Sequence, residues 1–201
     1  MDEARAVRDY WFGNERLTAE ALGRRMDFWF GAESAQDEEI RARFGGLLER
    51  AAAGELAGWA DGPRRRLSLI ILLDQFPRSM FRGTARAFDY DEQALALALT
   101  GMQSGADGAL DFAERIFFYM PLEHAESLEA QDESVAAFRR LLAEVPPELH
   151  AVFADSLRHA EEHRAIIERF GRYPHRNALL GRASSAEESD WLEEGGKSFG
   201  Q

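Results

Sequence analysis

Apolar residues recur along this chain at steps of three and four, and the alternation expected of strands is hard to find, so helices are predicted almost throughout. Residues 3–12 read as a short helix with Ala4, Val7, Tyr10 and Trp11 on one face, and 18–30 as a second carrying Leu22, Met26 and Trp29. Both close on one tripeptide, Trp11-Phe12-Gly13 and Trp29-Phe30-Gly31, where glycine suits the left-handed position after a helix and the aromatics plug a helix pair. Ser34-Ala35-Gln36-Asp37 resembles a capping box for a helix to about Ala53. After the turn Asp61-Gly62, Pro63 opens a helix over 63–76 whose run Leu67–Leu73 is apolar nearly all round, which places it centrally. That helix is expected to end before Pro77, with a loop over 78–84 and a helix capped by Asp89-Tyr90-Asp91-Glu92 after it. An aromatic-rich helix over 112–120 is ended or kinked by Pro121. Further helices follow over 122–143, broken near Asp132, and over 148–170, and a box at Ser185-Ala186-Glu187-Glu188 opens a short acidic one. Short connections between so many helices predict one all-α domain over residues 1–194, built of stacked antiparallel pairs, with a loose tail over 195–201.

Composition narrows the chemistry. No cysteine means no thiolate nucleophile, disulfide or Cys-type metal site. A net charge of −12 opposes nucleic-acid binding as a whole-surface effect. No apolar run reaches the roughly 18 residues of a membrane span, and Met1-Asp2-Glu3-Ala4-Arg5 does not read as a signal peptide, so a bacterial-type cytoplasm is expected. Positive charge comes almost wholly from arginine and is bunched: Arg64, Arg65, Arg66, Arg78, Arg82 and Arg86 face only Asp74 in their stretch, and a second basic stretch spans Arg158–Arg182. Two basic stretches in an acidic chain imply either internal pairing or an anion pocket.

The densest chemistry follows the long helix, in Phe170-Gly171-Arg172-Tyr173-Pro174-His175-Arg176-Asn177. A turn needs glycine, proline and asparagine, but not two guanidiniums and an imidazole. On that helix His159-Ala160-Glu161-Glu162-His163 has the H-x-x-E-H spacing of a zinc helix, yet no third ligand is identifiable. A satisfied core histidine at 163 and a solvated one at 159 is the stronger reading, and no metal or other cofactor is expected. Glu123, Glu126, Glu129 and Glu133 form a ladder at helical spacing, read as a solvated acidic face unless Glu123 or Glu126 meets Arg78, Arg82, Arg172 or Arg176 inside the domain. Asp74 and Gln75 stand at the end of the most apolar helix, where an unpaired charge would cost several kcal/mol, so Asp74 requires an arginine or backbone partner.

Three blocks carry a resemblance: Leu-Asp-Gln-Phe-Pro-Arg-Ser-Met-Phe-Arg-Gly-Thr-Ala-Arg-Ala-Phe (73–88), Phe-Tyr-Met-Pro-Leu-Glu-His-Ala-Glu-Ser (118–127) and His-Arg-Ala-Ile-Ile-Glu-Arg-Phe-Gly-Arg-Tyr-Pro-His-Arg-Asn (163–177). With the early Trp-Phe-Gly and the Leu-Gly-Arg at 180–182, the chain resembles the bacterial "domain of unknown function 924" family over nearly its whole length. Ala183 stands where that family's Gly-Arg-Glu-Ser-Thr has glutamate. The resemblance implies a tetratricopeptide-like α–α superhelix and no activity. Its motif positions here are Asp74, Gln75, Arg78, Arg82, His124, Glu126, His163, Arg169, Arg172, His175, Arg176 and Asn177.

Residues 74–82, 119–126 and 163–177 are therefore expected to meet. The leading expectation is a binding module in which Arg78, Arg82, Arg172 and Arg176, with His124, His175 and Asn177, hold a small anionic ligand or a peptide carboxylate. Arginines beside the histidines should keep the imidazoles neutral at pH 7. The alternatives are a hydrolase-type enzyme with a histidine base, with or without a metal, and a tetratricopeptide-like peptide scaffold displaying the Trp-Phe-Gly ends. The sequence gives no oligomeric state.

Overall fold

The computed structural model describes residues 2–13, 18–31 and 34–199, and among them there is no strand. The helices are α1 (Glu3–Phe12), α2 (Ala19–Phe30), α3 (Ser34–Ala52), α4 (Pro63–Ile70), α5 (Phe76–Met80), α6 (Asp91–Gln103), α7 (Phe112–His124), α8 (Leu128–Glu144), α9 (His150–Phe170) and α10 (Ala186–Glu193), with short 3-10 turns between several of them. The protein is all-helical, as the periodicity predicts. Consecutive helices reverse through short connections and pack as pairs: α7 on α8, α8 on α9, and α6 on α7, while α1 lies on α4 and α3 on α5. Among the described residues, no helix is long and apolar enough to cross a membrane.

Local chemistry sets the helix ends. The side chains of Asp2, Thr18 and Ser127 accept from backbone N–H groups of the first turns of α1, α2 and α8, and reciprocal boxes at Asp111/Glu114 and Ser185/Glu188 open α7 and α10. The two Trp-Phe-Gly ends plug the core together. Trp29 Nε1 donates to the Trp11 carbonyl at 2.8 Å, and Trp11 and Trp29 both meet Phe117 edge-on, at 5.5 and 4.6 Å between ring centroids. The left-handed expectation fails at Gly31, whose φ is −72°. Glycine is required there for another reason, since a Cβ would lie 2.4 Å from the Asp27 carbonyl oxygen.

Four expectations are corrected. The helix from Pro63 does not stop before Pro77. It widens into a π-turn over Ile71–Gln75, where the Phe76 N–H reaches back five residues to Ile71, and continues as α5 to Met80. Pro77 lacks an N–H and its ring crowds the preceding turn, which the wider π-turn accommodates. Of the two outcomes expected at Pro121, a kink or an end, the end is corrected: Pro121 lies inside α7, where Phe117, Phe118 and Leu122 around it are buried and packing holds the helix. Asp132 does not break α8, and accepts instead from Arg164 Nε at 2.6 Å. Asp91 is a helical residue, not a cap, and its carboxylate is used elsewhere. The Ser34 capping box includes Ser34 as the first described residue of α3, and its partners Gln36 and Asp37 bond to the Phe28 carbonyl and to Arg82.

Candidate functional site

The site begins at the π-turn. A π-turn shifts the residues after it out of helical phase, and here it buries Asp74 and Gln75 against the C-terminal turn of α7. That turn presents Glu123 and His124. Its final carbonyls are taken by side chains from elsewhere: Gln131 Nε2 donates to the Glu123 and Ala125 carbonyls at 2.6 and 2.9 Å, the Tyr173 hydroxyl to the Glu123 carbonyl, and Arg176 Nη1 to the His124 carbonyl at 3.0 Å. Tyr173 and Arg176 come from the turn after α9, which Gly171 opens in the left-handed conformation at φ 70°. So α7 is capped by side chains that also fix the direction of Glu123 and His124.

The buried polar groups are specifically paired. Asp74, with no exposed surface, accepts from His124 Nδ1 at 2.7 Å and from Gln75 Nε2 at 2.5 Å. Arg78 Nη1 donates to the Asp74 carbonyl at 2.6 Å, and its fork holds Asp91 at 2.8 and 2.9 Å. Arg176 approaches the same Asp91 at 3.5 Å and lies over the rings of Phe88 and Tyr173, at 4.6 and 4.5 Å from their centroids. His163 donates Nδ1–H to the His159 carbonyl at 2.8 Å, with Glu123 Oε2 at 3.5 Å.

Each environment fixes a protonation state. Burial opposes a charge on Asp74, but the His124 N–H, the Arg78 guanidinium and the Gln75 amide hold its carboxyl below the usual carboxylate range. Burial and Arg78 push His124 below an ordinary histidine, against the pull of Asp74. Burial pushes His163 down to about 3 despite its bond to His159. Burial, with Asp74 nearby, raises Glu123 well above an ordinary glutamate. Burial and Arg78 lower Arg176 to about 10, so it stays charged at neutral pH. The result is an ionised Asp74, neutral imidazoles at 124 and 163, and a carboxyl at 123 biased toward its protonated form. With Nδ1–H committed to Asp74, the lone pair of His124 is on Nε2, and nothing among the described residues hydrogen-bonds to it.

A cavity of about 810 Å³ opens onto these groups. Glu123, His124, His163, Gln75 and Arg78 lie together at its polar end, and Met26, Trp29, Phe30, Ile116, Met120 and Phe138 add apolar lining, with Met120 Sδ 3.6 Å from Gln75 Nε2. Of the residues singled out from the sequence, Gln75, Arg78, Arg82, His124 and His163 line this cavity. Asp74 and Arg176 lie behind that lining, in the buried pairing just described. Asn177 is buried too, but faces the last turn, where Arg182 Nε donates to its Oδ1 at 3.0 Å and its own amide reaches Ser184. His175 packs on Tyr173, at 5.4 Å between ring centroids.

Arg172, Arg169 and Glu126 do not reach the cavity. Arg172 forks onto Glu188 at 2.6 and 2.8 Å, Arg169 pairs with Glu187 at 2.9 Å, and Glu126 takes both nitrogens of Arg182 at 2.6 and 2.8 Å. The expected partner of Glu126 among Arg78, Arg82, Arg172 and Arg176 is thus replaced by Arg182. Glu123 is not on a solvated face. The zinc spacing at 159 and 163 is used within the helix, through the bond from His163 to the His159 carbonyl, and no three His, Asp or Glu groups among the described residues converge on a metal position. The residues that sequence reasoning missed are Asp91, Gln131 and Phe199. Asp91 looked like a cap, Gln131 lies on an ordinary helix, and Phe199 lies in a tail that gives no periodic signal.

A family model described as "Bacterial protein of unknown function (DUF924)" matches residues 7–196. A solved structure of a protein of unknown function from Agrobacterium tumefaciens is similar at a TM-score of 0.81 and 38% identity, covering 96% of this chain and 97% of that one. No curated protein matches the chain.

Proposed function

The chain belongs to the DUF924 family of bacterial proteins, and we propose that its cavity is the active site of an enzyme performing general acid–base chemistry on a small, partly apolar substrate. His124 is the base and Glu123 the acid. The observation that carries this reading is the buried Asp74–His124 hydrogen bond at 2.7 Å, at the polar end of a cavity where Glu123 is biased toward its protonated form. Asp74 positions the imidazole and stabilises the cation that forms when Nε2 takes a proton. Two titratable groups whose environments push their pKa values apart are the usual arrangement for acid and base roles.

In a hydrolysis, His124 Nε2 would remove a proton from water as its oxygen attacks a carbonyl, and Glu123 would return a proton to the leaving atom. Arg78, whose fork is held by Asp91, lines the cavity beside these two groups. The apolar lining, with Met26, Phe30 and Met120, takes the rest of the substrate.

Anion capture by the arginines has less support, because Arg78, Arg82 and Arg172 each already carry a carboxylate, from Asp91, Asp37 and Glu188. The tetratricopeptide-like scaffold reading has less support still, since Trp11 and Trp29 are buried core plugs.

The test is a panel of small esters, amides and lactones with the parent, His124→Gln and Glu123→Gln. Loss of a general base or acid lowers turnover by about 10²–10⁴-fold. The rate should follow a bell-shaped pH profile, rising as His124 loses its proton below the ordinary histidine range and falling as Glu123 ionises above the ordinary glutamate range. A turnover unchanged in His124→Gln would refute the assignment.

A further inference from the structure

The polar end of the cavity already holds a ring. Phe199, from the tail after α10, stacks on the His163 imidazole with 3.7 Å between centroids and 19° between planes, and meets His175 edge-on at 6.1 Å. It lines the same cavity as Glu123, His124 and His159. The tail expected to be loose therefore has a defined seat.

Two observations distinguish this seat from ordinary core packing. Phe199 reaches it at φ +52°, where a bulky side chain is rare, and such a backbone costs on the order of 1–3 kcal/mol. Among the described residues the tail is further held by the Gly196 N–H on the Trp191 carbonyl at 3.0 Å and by a partly exposed ion pair, Lys197 Nζ to Glu162 Oε1 at 2.6 Å, of a kind that contributes little. The surface beneath the ring, by contrast, is fixed without the tail. His163 is held by its bond to the His159 carbonyl, and Tyr173 meets it edge-on at 5.8 Å. A rigid flat platform covered by a ring on a strained backbone is a place where a free ring without that strain competes well.

We infer that the subsite on His163 binds a planar aromatic ring of the ligand, and that Phe199 is a tethered competitor that the ligand must displace. This rests on the cavity being a ligand site, as proposed above, but not on the acid–base roles of His124 and Glu123. The class of ligand that follows is one with an aromatic ring joined to a carbonyl-type head, since the ring on His163 would set the head beside Glu123 and His124.

The experiment measures binding of benzamide and of cyclohexanecarboxamide, which share a head and differ in ring planarity, to the full-length parent, Phe199→Ala and Lys197→Ala by calorimetry. A site filled by its own tail has an apparent affinity reduced by the fraction of time it is open. Phe199→Ala should tighten benzamide about tenfold, Lys197→Ala should tighten it less, and cyclohexanecarboxamide should change less than twofold. Equal benzamide affinity in the parent and Phe199→Ala overturns the competitor role. An equal gain for both probes, or binding of benzamide to neither protein, overturns the aromatic subsite. His124→Gln separates this inference from the reading it rests on. If that variant turns substrate over as the parent does while Phe199→Ala still tightens benzamide, the acid–base roles fail and the aromatic subsite stands.

Discussion

Replacing Asp91 with asparagine tests whether the polar core is held by charge. Asp91 lies between two guanidiniums, Arg78 in a fork at 2.8 and 2.9 Å and Arg176 at 3.5 Å. The side chains of these arginines are only 12% and 5% exposed, so neither can swing into water without disturbing its neighbours. Removing one partner of a buried pair costs about 3–5 kcal/mol, because the other charge is left uncompensated. Arg78 keeps the Asp74 carbonyl at 2.6 Å and the Asp74 carboxylate at 3.4 Å, which places the expected loss at the lower end of that range. For a protein of this size a loss of about 3 kcal/mol lowers the melting temperature by roughly 6–12 °C. The assay is denaturant and thermal unfolding of the parent, Asp91→Asn, Arg78→Met and the double variant. Asp91→Asn should be far less damaging once Arg78 is gone. A loss under about 1 kcal/mol, or strict additivity of the two substitutions, would show that the pair has no special role.

Further predictions concern pH. Glu123 has a raised pKa in the folded protein, so its contribution to stability is present below the unfolded value near 4.5 and is lost as pH rises through the folded value. Glu123→Gln should therefore stabilise the protein at pH 8 relative to the parent and leave it little changed at pH 4, as read by melting temperature against pH. His163 is depressed to about 3, so its contribution is present above the unfolded value near 6.5 and is lost as pH falls from there toward 3. His163→Gln should flatten the loss of stability across that interval, and an unchanged slope would contradict a buried neutral imidazole. Gln131→Leu should cost about 1–3 kcal/mol, the penalty of leaving the Ala125 carbonyl unsatisfied while the Glu123 carbonyl keeps the Tyr173 hydroxyl. A cost near zero would mean that α7 does not depend on this cap.

The elements were largely legible because helix-forming signals are local. The Ser185/Glu188 box caps α10 by contacts within four residues, as its spacing predicts, whereas the Ser127 cap that opens α8 falls inside the stretch 122–143 read as helical. The demand that Asp74 have a partner was also legible, since it follows from burial alone, and His124 and Arg78 meet it. What the sequence hid was which charges pair. Arg82 with Asp37, Arg182 with Glu126 and Arg172 with Glu188 are joined across 45, 56 and 16 residues, and no pattern along the chain links them. The arginine blocks alone leave internal pairing and an anion pocket both open, and each of these arginines is answered by a distant carboxylate. Asp91 was misread because an aspartate ahead of a helix looks the same whether it caps the backbone or receives a fork. Glu123 was misread because its ladder spacing is that of a solvated face, and only the C-terminal turn of α7 directs it inward. The π-turn needed both Pro77 and the packing around it, and only the first is visible in the sequence.

The central claim is that Asp74 holds His124 as a neutral base with its lone pair on Nε2. The most direct measurement is the long-range ¹H–¹⁵N spectrum of the histidines at pH 7, with His124 assigned by comparison with His124→Gln and repeated in Asp74→Asn. The predicted result is a neutral His124 protonated on Nδ1 in the parent, with that preference lost in Asp74→Asn. A parent His124 that is doubly protonated, or protonated on Nε2, would contradict it.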